Sequence, residues 1–136
     1  MLVGAYEHLN PEENKFQIIE WDSPDQLQWT YGGPVLTTRQ MPPDGQGTVY
    51  GPNVREVAPG LWRMIFAGDN RFADGWRSRL WSAVSTDLQH WQVEGELIGS
   101  STSNFRYPSL AGDRLVFLRE DDGDVNRIAI ATVAMP

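Results

Sequence analysis

The chain has 136 residues, enough for one domain of ordinary size and too few for two. Hydrophobic residues make up 40% and aromatics 11%, with six Trp, which supplies a packed interior and argues against disorder. Eleven Lys and Arg against 18 Asp and Glu leave a formal charge of −7, which repels a phosphate backbone, and the absence of Cys excludes disulfides, thiolate zinc sites and a Cys nucleophile.

Met1 to Asn10 carries neither a basic n-region nor an apolar h-region, and its Leu2 to Glu7 run predicts a first strand. No later stretch approaches the roughly 18 apolar residues of a membrane span. The expectation is a cytoplasmic protein with neither membrane nor nucleic-acid partners.

Residues 16–38 and 78–100 superpose without a gap. Ser23, Asp25, Trp29 and Gly33 fall on Ser85, Asp87, Trp91 and Gly95, while Ile18, Ile19, Val35 and Leu36 fall on Leu80, Trp81, Leu97 and Ile98. Each copy is an apolar run, a Ser-x-Asp turn, a Trp, a Gly and a second apolar run, which predicts a hairpin of two antiparallel strands. The Asp is expected to accept backbone N–H groups within its own turn, and the Trp to cover the hairpin end. A third, partial copy runs from Arg127 to Val133, matching Arg79 to Ser85.

Between the first two copies, Arg39 to Gly47 is rich in Pro and Gly and predicts a loop between units. Ahead of copies two and three stands a further matching pair, Gly51-Pro52-Asn53-Val54 then Gly60 to Phe66, and Tyr107-Pro108-Ser109-Leu110 then Gly112 to Leu118. Each pair adds two strands around a Gly turn. The unit is then a four-stranded antiparallel sheet, with about ten strands in all, and a period of roughly 50 to 60 residues suits propeller blades. The expected organisation is one all-β domain over 1–136 with units at about 1–38, 48–100 and 105–133, some 2.5 to 3 β-propeller-type blades.

The runs Trp62 to Phe66, Arg79 to Ala83 and Ser85 to Trp91 resemble blades of the furanosidase-type five-bladed propellers, glycoside hydrolases of the arabinanase, invertase and levansucrase kind. In those enzymes carboxylates stand at the start of innermost strands, commonly in an Asp-Pro pair, because two carboxylates must flank the glycosidic bond. Here the matching pairs are Gly51-Pro52 and Tyr107-Pro108, so both places lack the acid. The Ser-x-Asp turn also resembles the sialidase box S-x-D-x-G-x-x-W, but lacks its Gly and brings the Trp one position early, so no sialidase chemistry is carried over.

The resemblance implies a carbohydrate-binding, glycoside-hydrolase-like protein without the usual catalytic carboxylates. Tyr50, Asn53, Arg55, Arg106 and Tyr107, beside Phe105 at the two inner-strand entrances, are the ligand-binding candidates. An active glycosidase with a site shared across a dimer is the alternative, with Asp44 and Glu120 as the carboxylate pair. A structural or protein-interaction module is the third class. Glu120 to Asp124 lacks the full calcium-loop pattern and predicts a hairpin turn. His8 and His90 fit no zinc or triad spacing, so neither metal nor other cofactor is expected. Arg71, Phe72, Trp76, Arg77 and Arg79 crowd one turn, which suits either sugar stacking or a solvated hairpin.

An open stack of so few blades leaves two apolar faces in water. The expectation is therefore a homodimer whose blades form one ring, six in number so that a two-fold axis passes through it. An isolated β-sandwich is the competing architecture.

Overall fold

The structure, a computed structural model, describes residues 2–6, 16–41, 47–72, 75–122 and 125–133. It is all-β and antiparallel. The first sheet contains β1 (Leu2–Tyr6), β2 (Phe16–Asp22) and β3 (Thr30–Leu36), the second β4 (Thr48–Ala58), β5 (Leu61–Phe72), β6 (Gly75–Ser85) and β7 (Gln92–Ile98), and the third β8 (Ser103–Ala111), β9 (Arg114–Asp121) and β10 (Val125–Thr132). Within each sheet the strands lie in chain order, every neighbour joined by a hairpin connection. No helix among the described residues is long and apolar enough to cross a membrane.

The middle sheet is covered on both faces. Side chains alternate along a strand with a period of two, so the unbroken run Met64 to Ala67 splits. Met64 and Phe66 join Ile18, Leu36 and Trp81 in a core against the first sheet, while Ile65 and Ala67 join Leu80, Phe105 and Phe117 in a core against the third. A strand buried on both sides must be apolar throughout, which is why this stretch does not alternate. Two cores between three successive sheets give one layer more than a two-sheet sandwich.

The two Ser-x-Asp turns are built alike. Asp25 Oδ1 accepts Leu27 N and Gln28 N, each at 2.9 Å, and Asp87 Oδ1 accepts Gln89 N at 2.9 Å and His90 N at 2.8 Å. Ser23 and Ser85 donate to the same carboxylates at 3.1 and 3.0 Å. Gln26 and Leu88, at equivalent places, both take left-handed φ, +63° and +65°. The N–H bond from Gln28 is the main cause holding the Asp25 carboxyl below its usual range, and the N–H of His90 does the same for Asp87. These Asp side chains are turn builders.

The segment after β3 belongs to the packing as well as to the connection. The Gln40 side chain accepts Thr37 N at 2.9 Å and donates to the Trp91 carbonyl at 3.1 Å, and Met41 is buried in the first core. Gln89 also donates to the Glu20 carboxylate, tying the second Ser-x-Asp turn to the first sheet.

Candidate functional site

The two x-Pro pairs singled out in the sequence are two β-bulges. The β4–β5 register breaks between Tyr50 and Asn53, across Gly51-Pro52, and the β8–β9 register breaks between Arg106 and Ser109, across Tyr107-Pro108. Pro has no N–H to give to a ladder, which favours a break at these points. Gly51 has φ +61° and Tyr107 φ +51°. Gly enters the left-handed region without penalty, whereas a Tyr there stores on the order of 1–3 kcal/mol. The bulges also touch, since a Cβ on Gly51 would stand 3.7 Å from Pro108 Cδ and 3.8 Å from Tyr107 Cα.

Where they meet, the Tyr50 and Tyr107 rings pack edge to face, centroids 6.1 Å apart. Tyr107 is 62% exposed. The Tyr50 hydroxyl reaches inward, 3.0 Å from Asp69 Oδ1 and 2.7 Å from Ser78 Oγ. Burial, then the Asp69 charge, push this phenol well above the usual tyrosine range. Ser78 links the two sheets: its N–H donates to Asn104 Oδ1 at 2.9 Å and its hydroxyl to the Phe105 carbonyl at 3.0 Å.

Arg106 precedes the strained Tyr. Its Nη2 lies 3.5 Å from Glu120 Oε2, and its Nε is buried with no hydrogen-bond partner among the described residues. The neighbouring acids are engaged too. Asp121 accepts Ser103 Oγ at 2.7 Å and Arg119 Nε at 2.6 Å, bonds that hold its carboxyl below the usual range, and Asp122 lies 3.8 Å from Arg77. Glu120 to Asp122 thus serves neighbouring cations and hydroxyls. Among the described residues no group of acidic or His side chains is arranged to hold a metal.

The other sequence candidates scatter. Asn53 stands opposite Ile65 beyond the bulge. Arg55 is turned to the far end of β4, donating to the Gly112 carbonyl in the β8–β9 turn at 2.5 Å, so it is not brought to the tyrosines. Phe105 is part of the second core. Asp44 and His8 lie outside the described residues. Of the arginine cluster, Arg77 donates to the Ser101 carbonyl at 2.9 and 2.8 Å, and Arg79 sits 3.5 Å over the Phe72 ring and 2.7 Å from Glu96. His90 is an exposed partner of Asp87 at 2.7 Å.

Asp69, Ser78 and Asn104 complete the site and carry no motif. Their only sequence signal is polarity inside strands, and they meet because the register sets Asp69 opposite Ser78 while β8 packs against β6. A separate groove of about 340 Å³, lined by Arg63, Ser82, Glu94, Glu96, Leu97 and Val133, has its acids matched by Arg63 at 3.1 Å and Arg79 at 2.7 Å. No protein-family model matches this chain, and no curated protein matches it.

Proposed function

We propose that the three sheets are propeller-type blades, that a second copy of the chain completes their ring, and that the two abutting bulges bind carbohydrate without the carboxylate pair of a glycosidase. The observation that carries this is the meeting of Gly51-Pro52 and Tyr107-Pro108 on adjacent inner strands. It sets an exposed Tyr107 ring next to the partly exposed Arg106–Glu120 pair. A sugar ring offers an apolar face to an aromatic side chain and hydroxyls to charged groups, so this combination fits it.

Hydrolysis needs two carboxylates about 5 to 9.5 Å apart across the bond. Gly51 and Tyr107 occupy the places where the resembling enzymes put them, and Glu120 is engaged by Arg106. Glu120 then accepts a sugar hydroxyl in the bound state and transfers no proton.

Calorimetric titration with arabinan- and fructan-derived oligosaccharides tests the proposal. Wild type should bind at least one, Arg106→Ala and Tyr107→Ala should each weaken it tenfold or more, and no reducing sugar should be released. Equal binding by both variants contradicts the site. Hydrolysis abolished by Glu120→Gln would establish the glycosidase alternative.

A further inference from the structure

The repeat makes equivalent residues comparable, and their burial differs in one systematic way. Ile18, Leu80 and Ile128 hold the same place on β2, β6 and β10. The first two point into the following sheet and are fully buried, while Ile128 is 72% exposed. Ile130, equivalent to the buried Ser82, is 62% exposed. At the other end, Trp91 on the second sheet is covered by the first sheet and 5% exposed, but its equivalent Trp29 is 41% exposed. Tyr31, equivalent to the partly buried Val93, is 43% exposed and meets the Trp21 ring edge to face at 5.5 Å.

Each uncovered face therefore has a known complement inside the same chain. What covers Leu80 is the leading face of the third sheet, and what covers Trp91 is the trailing face of the first. Both internal interfaces join a trailing face to a leading face.

We infer that the trailing face of the third sheet, with Ile128 and Ile130, docks on the leading face of the first sheet of a second copy, with Trp29 and Tyr31, and that the same contact repeats once to close a two-fold ring. This rests on the blade reading proposed above. The contact is head to tail, so each face meets its complement and never its own copy. Closure after two copies is what keeps such a contact from propagating into a filament.

The test is mass by light scattering over a range of concentrations. Wild type should give twice the 15.4 kDa of the chain. The variants Ile128→Glu/Ile130→Glu and Trp29→Glu/Tyr31→Glu should each give one chain mass with the far-ultraviolet spectrum of the wild type. A wild-type monomer at every concentration overturns the inference, as does a ladder of larger masses. So does a dimer that survives either double substitution, because only a like-to-like contact can spare one face. Amide exchange on the monomeric variants separates this from the blade reading: protection across Met64 to Ala67 shows the sheets still stacked within the chain, and its loss there with a wild-type monomer sinks both.

Discussion

Asp87 accepts the N–H groups of Gln89 and His90 and faces the His90 ring, so its folded pKa lies below the unfolded value. A depressed carboxyl contributes stability above its ordinary value of 3.8 and loses it as pH falls below that. Asp25 and Asp121 shift in the same direction, so the protein should lose stability on acidification below that point. Thermal melts of Asp87→Asn should show a lower melting temperature at neutral pH and a smaller drop between neutral pH and pH 3 than wild type. Tyr107 offers the opposite test, because its φ of +51° is one that Gly takes freely. Tyr107→Gly should leave stability unchanged or raise it by up to about 1 kcal/mol in urea titrations, while oligosaccharide affinity falls. A destabilised variant that still binds would contradict both the strain and the role of the ring.

At the scale of strands, β5 is the element on which both cores depend. Phe66 is fully buried between the first and second sheets, and Phe66→Ala should cost about 3–5 kcal/mol in denaturant midpoints. The strands and turns were legible in the sequence because their causes are local: the Ser-x-Asp turns close on bonds spanning two or three residues, and the Gly60 and Gly112 turns need the left-handed φ those residues allow. The bulges were legible only in part. A residue before Pro is expected to be extended, so nothing in Arg106-Tyr107-Pro108 announces a left-handed Tyr. The Asp69–Tyr50–Ser78–Asn104 network spans three strands of one sheet and the first strand of the next, and only the register brings its members together. Arg55 shows the converse, standing near Tyr50 in sequence but bonded to the Gly112 carbonyl in the β8–β9 turn.

For the whole molecule, identical motifs end in different environments because neighbours, not sequence, decide burial. Trp29 and Trp91 share one turn pattern, yet among the described residues only Trp91 is packed under a neighbouring sheet. The ring proposed here supplies Trp29 with the same cover. Each chain carries a formal charge of −7, so two copies repel at long range and the docking faces must prevail at contact. Raising ionic strength from about 0.01 M to about 0.15 M shortens the screening length from roughly 30 Å to 8 Å. The dimer fraction measured by light scattering at fixed protein concentration should therefore rise with salt, and a fall would place charge pairs, not apolar faces, at the contact. The proposed sugar site is most directly tested by amide chemical shifts recorded while an arabinan- or fructan-derived oligosaccharide is titrated into the protein. Shifts confined to Tyr50, Gly51, Arg106, Tyr107 and their neighbours are the predicted result, and shifts centred on the Glu94 and Glu96 groove, or none at all, would contradict it.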